Sequence, residues 1–329
     1  MHMKAVRFHR HGGPEVLQLE ELPVPVPAPG EVLIQIEAAG VNYADTVRRW
    51  GDHYPLPTPL PSICGGEVAG AVAAAGAGVD SAWVGKRVLA APPSGGYAQF
   101  VAVPASSVFE MPAGLTAQQG LALFVQGLSA ALILKTAGRL AAGEHVLIEG
   151  ASGGVGSIAV QLAHLYGAGM VIGAAGSAAK RAQVRTLGAN HAIDYSKPGW
   201  ASEVMQLTAG RGIDVLMEMT GGEVFAEAMQ CLAPGGRAVV YGVASRQPYQ
   251  VPSERLIAKG QSIVGFYLGR FLQQHALIET TLAQLGGFVA GGRLVVEIGG
   301  VFPLAGAAEA HRLLESRTTS GKLILVPGT

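Results

Sequence analysis

Residues 145–166 combine a short apolar strand, a glycine-rich turn and a long amphipathic helix, in that order. The turn, residues 150–156 (GASGGVG), spaces its glycines as G-x-x-G-x-x-G. Small residues let a strand turn sharply into a helix and let the backbone approach a pyrophosphate, which the first N–H groups of the helix then face. The turn therefore predicts a dinucleotide site at Ser152, Gly153, Gly154 and Val155. A glycine turn without a ligand is the alternative.

Strands and helices alternate after this turn. The predicted strands are residues 146–149, 170–174, 191–193, 215–219, 238–241 and 262–266, and the predicted helices are 155–166, 178–187, 200–208 and 225–231. Strands separated by helices of this length are typical of a parallel, doubly wound sheet. A further helix is predicted just before them, at residues 117–137.

The first hundred residues have a different pattern. Short, turn-bounded strands are predicted at residues 3–8, 16–20, 32–38, 66–75, 87–91 and 97–104, which suits a compact, mostly antiparallel domain of barrel type. At the other end of the chain, helices are predicted at 277–290 and 305–314, and strands at 294–298 and 322–326. The fold class predicted from these patterns is α/β, with a β-rich domain beside the doubly wound sheet.

Composition and charge narrow the classes of function. Apolar residues make up 49% of the 329 residues and charged residues 14%, so the chain can bury a large core. The formal net charge is zero, which predicts no attraction to nucleic acid or to an anionic membrane. The N-terminus lacks the apolar segment of a signal peptide, and two distant cysteines predict buried thiols. We expect a cytoplasmic protein.

The end of the second strand of the alternating region indicates which dinucleotide binds. An NAD site usually has an acidic residue about 20 residues after the glycines, where it holds the ribose hydroxyls. Residues 173–177 (GAAGS) contain no acid, and Lys180 and Arg181 follow in the next helix, which Ser177 is expected to cap. A hydroxyl and an ammonium group suit a 2′-phosphate, so the predicted coenzyme is NADPH. Solvated helix charges are the alternative for both basic residues.

Five segments give the chain a family resemblance over essentially its whole length. These are residues 8–17 (FHRHGGPEVL), 40–46 (GVNYADT), 65–70 (GGEVAG), 150–156 (GASGGVG) and 321–323 (GKL). They resemble the quinone oxidoreductase (zeta-crystallin-like) branch of the medium-chain dehydrogenase/reductase superfamily. The resemblance implies a GroES-like catalytic domain at 1–120 and 268–329, a Rossmann NADPH-binding domain at 121–267, and a homodimer.

The resemblance also bears on zinc, because the residues that bind zinc in relatives are missing from this chain. Zinc-dependent relatives have cysteine where this chain has Asn42, histidine where it has Gly66, and a third ligand, cysteine, where it has Gln126. Zinc is held by a tetrahedral set that includes His or Cys donors, which these residues cannot supply. Only two cysteines are present, so the four-cysteine structural zinc lobe is also missing. We therefore expect no metal.

Reduction of a conjugated carbonyl without a metal needs hydrogen-bond donors for the developing oxyanion. The candidate catalytic residues are Asn42, Tyr43 and Tyr54, and Asn42 is also a candidate for holding the coenzyme carboxamide. Aromatic packing is the alternative for the tyrosines, and a turn and helix cap is the alternative for Asn42.

Further positions match coenzyme contacts of the family, and together with Ser177 and Lys180 they complete the predicted set. They are Gln126, Ser129, Tyr195, Thr220, Gly242, Val243, Phe266, Leu268 and Lys322. A backbone-bonded helix serine is the alternative for Ser129, and an ordinary surface charge is the alternative for Lys322.

Three functions follow from these observations. The first is an NADPH:quinone oxidoreductase that reduces a quinone or a similar enone. The second is a 2-enoyl thioester or enone reductase, for which Tyr43 would be the proton donor. The third is a catalytically idle, crystallin-like protein that binds NADPH without turnover.

Overall fold

The computed structural model describes residues 1–52, 54–247 and 250–328. The chain divides into two compact units. Unit 1 comprises Met1–Val125, Leu272–Gly291 and Val296–Thr329, and unit 2 comprises Gln126–Phe271 and Gly292–Val295. The boundaries expected from the family resemblance, 1–120 with 268–329 and 121–267, remain a prediction.

The described residues form sixteen β-strands and ten α-helices. The strands are β1 (His2–Phe8), β2 (Gln18–Pro23), β3 (Glu31–Val41), β4 (Ser62–Ile63), β5 (Val68–Ala75), β6 (Arg87–Ala90), β7 (Phe100–Pro104), β8 (Val108–Glu110), β9 (His145–Ile148), β10 (Met170–Ala174), β11 (His191–Ile193), β12 (Ile213–Glu218), β13 (Leu232–Val240), β14 (Ser262–Gly265), β15 (Ile298–Pro303) and β16 (Lys322–Val326). The α-helices are α1 (Tyr43–Trp50), α2 (Ala117–Leu121), α3 (Leu128–Leu132), α4 (Gly154–Leu165), α5 (Ala178–Thr186), α6 (Trp200–Leu207), α7 (Gly222–Ala228), α8 (Ser253–Lys259), α9 (His275–Ala290) and α10 (Ala307–Glu315).

Unit 1 is built on a seven-stranded sheet with the order β15-β16-β3-β5-β6-β8, in which β7 also pairs with β3. The pairs are antiparallel except β15 with β16, and a second, three-stranded sheet has the order β2-β1-β4. The long strand β3 supplies buried Val32, Ile34 and Ile36 to the core. Strand β16 pairs with β3 so that Ile324 lies opposite Gly40, which brings Lys322 to the end of β3.

Unit 2 contains a six-stranded parallel sheet with the order β11-β10-β9-β12-β13-β14. This is the strand order of a doubly wound sheet, and it reverses direction at β9. Val146, Leu147 and Ile148 of β9 are fully buried, as expected for a strand covered on both faces. The predicted α/β, doubly wound architecture is confirmed, and ligands of such sheets bind at the carboxyl ends of the strands.

For two of the strands that begin later than the sequence prediction has them, the reason is local. Pro14 begins a 3-10 turn that ends at Val16, so β2 begins only at Gln18, and not at residue 16 as the sequence prediction has it. The backbone N–H and C=O of Val295 bond to the Gln161 side chain at 2.8 and 2.9 Å. Because these groups are then not available for strand pairing, β15 begins at Ile298 and not at residue 294.

The predicted helix at 117–137 is confirmed, with two stretches of wider π-type turns at Ala122–Gly127 and Ile133–Ala137. Among the described helices, this one, Ala117–Ala137, is long and apolar enough to pass a test for a membrane span. In its apolar window 72% is buried inside the protein. Buried core helices pass the same test, so the result is weak support for a membrane span.

Candidate functional site

The glycine-rich turn in unit 2 joins β9 to α4 and has no room for larger side chains. Gly150 adopts a positive φ of 58°, and its carbonyl accepts a hydrogen bond from the Gly153 N–H at 2.8 Å. A Cβ atom on Gly156 would overlap this same carbonyl oxygen. The turn therefore needs glycine for its geometry, and Gly153 is the N-cap of α4. The first N–H groups of a 12-residue helix meet the turn at this point.

Gln126 lies against the start of α4. A Cβ atom on Gly154 would overlap the Gln126 carboxamide, so the absence of a side chain at Gly154 is what admits this amide. Gln126 is buried, and its Oε1 atom has no hydrogen-bond partner among the residues that the structure describes. A buried polar atom without a partner costs free energy unless a ligand or water bonds to it. Ser152, on the same turn, is also buried.

The ends of β10 and β11 bring Ser177, Lys180 and Tyr195 to one edge of the sheet. Ala174 of β10 pairs with Ile193 of β11, so the loops after both strands are neighbours. The Ser177 hydroxyl accepts the Lys180 N–H at 3.3 Å, which confirms the predicted cap of α5. A Cβ atom on Gly176 would lie 4.0 Å from Cε1 of Tyr195. Burial lowers the pKa of Lys180 below its ordinary value.

Arg181 has a structural role in the same region. Its Nη1 atom forms an ion pair with Asp194 at 3.0 Å and donates to the Ala175 carbonyl at 3.2 Å. These two bonds tie the loop after β10 to the loop after β11. Of the two basic residues in this region, Lys180 and Arg181, it is therefore Arg181 that holds the two loops together.

The remaining coenzyme candidates in unit 2 follow the other strands. Thr220 comes after β12, Gly242 and Val243 after β13, and Phe266 and Leu268 after β14, while Ser129 lies buried in α3. The structure therefore places all five strand-end candidates at the carboxyl edge of the parallel sheet, where ligands bind. Val243 is exposed and Phe266 packs on Phe271, with ring centroids 5.2 Å apart.

Sequence reasoning missed a pair of buried carboxyl groups next to the turn. Glu149 immediately follows β9 and Glu218 ends β12, and both side chains are fully buried. Burial and the Glu218 carboxylate raise the pKa of Glu149 well above its ordinary value. Two interacting buried carboxyl groups cannot both ionise cheaply, so the pair retains one proton between them to higher pH than an ordinary glutamate does. Glu218 also accepts the Thr220 and Gly221 N–H groups, at 3.0 and 2.7 Å.

Replacing Glu149 by glutamine is expected to stabilise the protein at alkaline pH. Because the native pKa of Glu149 is raised, native-state stability is lost as pH rises above the ordinary value of 4.5, and glutamine removes this loss. We expect the melting temperature of Glu149→Gln to match wild type near pH 4 and to exceed it by about 3 °C or more at pH 8.

Glu144 offers a matched control for this experiment, because Arg237 hydrogen-bonds to its side chain and lowers its pKa. Its stabilising contribution is present above the ordinary pKa and is lost as pH falls. Glu144→Gln should therefore lower the melting temperature at pH 8, the opposite sign. An unchanged melting temperature of Glu149→Gln across this pH range would contradict the shared proton.

A second cluster lies in unit 1, where β16 meets the end of β3. The Lys322 Nζ atom is 2.5 Å from Glu67 Oε2 and donates to Asn42 Oδ1 at 2.8 Å. The Asn42 Nδ2 atom donates to Glu67 Oε2 at 3.0 Å, which closes a triangle of three side chains. The Lys322 and Glu67 side chains are 0% exposed. The ammonium of Lys322 is thus bound within unit 1, and a coenzyme contact of Lys322 stays a prediction.

The two tyrosine candidates both follow Asn42 in sequence but have different surroundings. Tyr43 is the first residue of α1 and is half-buried. Tyr54 is half-buried, and the Arg48 guanidinium lies over its ring, 5.5 Å from the centroid. This cation–π contact favours the packing alternative for Tyr54. Neither tyrosine role is tested by these contacts, and both remain predictions.

A buried polar network adjoins Asn42, and sequence reasoning missed it as well. Asp45 accepts the Asn42 backbone N–H at 2.9 Å, and the Tyr97 hydroxyl lies 3.2 Å from Asp45 and 3.0 Å from His311. Burial raises the pKa of Asp45 to about 6 and lowers the pKa of His311 to about 3. These groups come from distant parts of the sequence, so no local signal marks them.

Both cysteines are buried and reduced, as the sequence predicts. Burial and the neighbouring Asp45 carboxylate raise the pKa of the Cys64 thiol well above its ordinary value. Burial likewise raises the pKa of Cys231 to about 12. Both side chains are therefore neutral thiols near neutral pH.

Comparison with known proteins decides the family. Residues 28–113 match the family described as alcohol dehydrogenase GroES-like domain, and residues 154–284 match the family described as zinc-binding dehydrogenase. Quinone oxidoreductase from Sus scrofa is 36% identical over 327 residues, which cover 98% of this chain and 98% of that protein. The chain belongs to the quinone oxidoreductase branch of the medium-chain dehydrogenase/reductase superfamily.

Two other members of the superfamily bear on what this one does. A 2-haloacrylate reductase from Burkholderia sp is 34% identical over 333 residues and covers 99% of each chain. The solved structure of Escherichia coli quinone oxidoreductase complexed with NADPH has a TM-score of 0.93 and 31% identity, and covers 98% of this chain and 100% of that one. The predicted GroES-like and Rossmann architecture is thereby confirmed, and the chain is an oxidoreductase of this superfamily.

The donor set of this superfamily member does not fit zinc. Asn42, Gly66 and Gln126 stand where the family resemblance puts zinc ligands, and none carries a thiolate or an imidazole. The Asn42 carboxamide is instead bonded to the Lys322 ammonium, a group that repels cations. Over residues 1–52, 54–247 and 250–328, no group of three or more His, Cys, Asp or Glu side chains could hold a metal ion.

Proposed function

We propose that the chain is a zinc-independent NADPH:quinone oxidoreductase that transfers a hydride from NADPH to a quinone or a similar conjugated carbonyl compound. The observation that carries the proposal is the end of β10, where residues 173–177 contain no carboxylate and Lys180 follows in α5. A carboxylate here would repel a 2′-phosphate, whereas an ammonium group and hydroxyls attract it. The quinone oxidoreductases of Sus scrofa and Escherichia coli among the relatives support the acceptor class.

Unit 2 has the features that this coenzyme requires. We propose that Ser152, Gly153, Gly154 and Val155 receive the pyrophosphate at the start of α4, because the glycine-rich turn ends there and the first N–H groups of the helix suit an anion. Ser177, Lys180 and Tyr195 would hold the 2′-phosphate. The buried Oε1 atom of Gln126 lacks a partner within the described part of the chain and so fits a bond to the coenzyme. Ser129 lies in the next helical segment. The carboxyl-edge residues Thr220, Gly242, Val243, Phe266 and Leu268 would complete the site.

The chemistry places specific demands on unit 1. When bound, NADPH supplies the hydride, and the quinone together with one proton from solvent becomes the hydroquinone. The acceptor oxygen gains negative charge as the hydride adds, so a fixed N–H or O–H donor near this oxygen lowers the barrier. Asn42, Tyr43 and Tyr54 are the donors that we propose for this role, with Asn42 held firmly by Glu67 and Lys322.

The proposal is tested by oxidation of NADPH, followed by loss of nicotinamide absorbance, with four acceptors at matched concentrations. These are 1,4-benzoquinone, 1,4-naphthoquinone, 2-chloroacrylate and crotonyl-CoA. We expect kcat/KM for a quinone to exceed that for the other two acceptors by about 10-fold or more, an energy difference of at least about 1.4 kcal/mol. A preference for 2-chloroacrylate or crotonyl-CoA would contradict the quinone assignment.

The second candidate, an enoate or enoyl thioester reductase, is favoured by one finding, the similarity to a 2-haloacrylate reductase. Its reaction adds a hydride to one carbon of an alkene and a proton to the other, so it needs a proton donor, for which Tyr43 is the candidate. The same four acceptors separate it from the quinone reductase. If the protein bound NADPH but reduced none of the four acceptors, the result would favour the crystallin-like, non-catalytic protein.

We further propose a cytoplasmic homodimer that engages neither nucleic acid nor membrane, in line with a net charge of zero. The six-stranded sheet of unit 2 ends at β14, whose outer edge has no neighbouring strand within the described residues. Light scattering of the purified protein measures the assembly and is expected to give about twice the chain mass of 33.7 kDa. A mass of one chain would rule out the dimer.

A further inference from the structure

The Lys322–Glu67 ion pair in unit 1 is buried to a degree that calls for an explanation. Both side chains are 0% exposed, and their charged atoms lie 2.5 Å apart. Desolvating two charges is costly, and a buried ion pair is often no more stabilising than apolar side chains of similar volume. Fold stability alone therefore gives no reason for a charged pair here. The third member of the triangle, Asn42, suggests another reason.

The surrounding backbone is shaped to hold the pair. Gly40 lies directly beside it, and a Cβ atom there would overlap Glu67 Oε2 and lie 2.8 Å from Lys322 Nζ. Strand β16 pairs with β3 at Gly40 through Ile324, and this register brings Lys322 to the end of β3. The other carboxylate oxygen of Glu67, Oε1, accepts the Val125 N–H at 2.9 Å. Each charge thus has one defined position.

The two charges specify which way the Asn42 carboxamide faces. An ammonium group has only donors and an ionised carboxylate has only acceptors. The amide oxygen therefore faces Lys322, at 2.8 Å, and the amide nitrogen faces Glu67, at 3.0 Å. In the same orientation Asn42 is the N-cap of α1, and its side chain also accepts the Asp45 N–H in a capping box, as the helix-cap alternative predicts. A flipped amide would set N–H against ammonium and oxygen against carboxylate. With one N–H of Nδ2 committed to Glu67, the direction of the second N–H is fixed as well.

We propose that Lys322 is a positioning residue for the reduction: with Glu67 it locks Asn42 so that the second N–H of its amide is presented to the acceptor oxygen. The inference rests on the proposed function, since it assigns Asn42 to the reacting carbonyl. Asn42 is only half-buried, unlike its two charged partners. The chain thereby meets the developing oxyanion with a donor whose orientation is set by a buried lysine.

The test compares Lys322→Met, Asn42→Ala and the double variant Asn42→Ala/Lys322→Met, by quinone-dependent oxidation of NADPH. Removal of one oriented oxyanion donor typically costs about 100-fold in kcat, so we expect kcat of each single variant to fall about 100-fold. The KM for NADPH should change less than about threefold, because the lost interaction forms only in the transition state. The double variant should be no slower than Asn42→Ala, since Lys322 acts through Asn42.

A charge-neutral variant, Lys322→Met/Glu67→Gln, separates positioning from folding. It leaves no unpaired buried charge, so its melting temperature should equal or exceed that of wild type. Its kcat should stay low, because a glutamine amide can meet Asn42 in either orientation. If this variant regained wild-type kcat, or if Lys322→Met kept it, the positioning role would be overturned. The positioning role would also be overturned if the kcat of Asn42→Ala/Lys322→Met were lower than that of Asn42→Ala by the same factor by which Lys322→Met alone lowers the wild-type kcat.

Arg49→Met is the matched control within the same unit. Arg49 is also fully buried and forms an ion pair at 2.5 Å. Its partner is Glu315, however, and its guanidinium does not bond to Asn42. We expect this variant to lose melting temperature and to keep wild-type kcat. Failure of the proposed function itself would look different, since the wild-type protein would then reduce none of the quinones with NADPH.

Discussion

Replacing Lys180 by alanine is expected to raise the KM for NADPH about 100-fold, while the KM for NADH changes less than about twofold. The two coenzymes differ only by the 2′-phosphate, so only a residue that contacts this group discriminates between them. Lys180 lies in the first turn of its helix, after the Ser177 cap, and the ring of Tyr195 approaches the same loop. Initial rates at varied coenzyme concentration, with a fixed quinone, measure both constants.

Lys259→Ala is the control for this variant, because it removes the same charge from an exposed position in α8 of the same unit. It should leave both constants unchanged. If Lys180→Ala raised the KM of both coenzymes equally, the lysine would serve the shared part of the dinucleotide or the fold of α5. The 2′-phosphate assignment would then be wrong.

Replacing Gly176 by aspartate is expected to reverse the coenzyme preference. Gly176 has room for a side chain, since the nearest atoms to an added Cβ lie 3.9 and 4.0 Å away. A carboxylate here would repel the 2′-phosphate dianion and accept the ribose hydroxyls of NADH. We expect kcat/KM for NADPH to fall about 100-fold and that for NADH to rise a few-fold, from an electrostatic change of about 3 kcal/mol.

Gly176→Asn controls for size, because asparagine has the shape of aspartate without the charge. It should retain at least about a third of the wild-type kcat/KM for NADPH. A similar loss in both variants would mean that bulk at this loop disturbs binding. Retention of NADPH preference by Gly176→Asp would mean that the phosphate lies away from the end of β10.

The sequence predicts the parallel sheet well because its signals are local. A buried apolar strand such as β9, a glycine turn and a following helix are neighbours along the chain, and each step has its own pattern. The Ser177 cap and the missing carboxylate after β10 are local as well. For this reason the elements that would hold the coenzyme follow from the residues alone, whereas their contacts with it remain predictions.

The features that sequence reasoning missed depend on contacts between distant segments. Lys322 lies 280 residues after Asn42, and only the pairing of β16 with β3 shows that they meet. From the sequence, Lys322 is interpreted as a coenzyme contact, while the structure shows its ammonium on Glu67 and Asn42. Glu149 and Glu218 are likewise 69 positions apart in sequence, and they meet because β9, which ends just before Glu149, pairs with β12, which ends at Glu218. Predicting these contacts requires the register of the paired strands, which a single sequence does not supply.

The buried thiols have a consequence for the proposed reduction of quinones. Quinones are electrophiles that alkylate sulfur, and the thiolate is the form of cysteine that reacts. This chain has only two cysteines, Cys64 and Cys231; both are shielded from solvent, and the raised pKa of each keeps it protonated. Neither cysteine therefore presents a thiolate to a quinone, and under the proposed function repeated turnover need not end in cysteine alkylation.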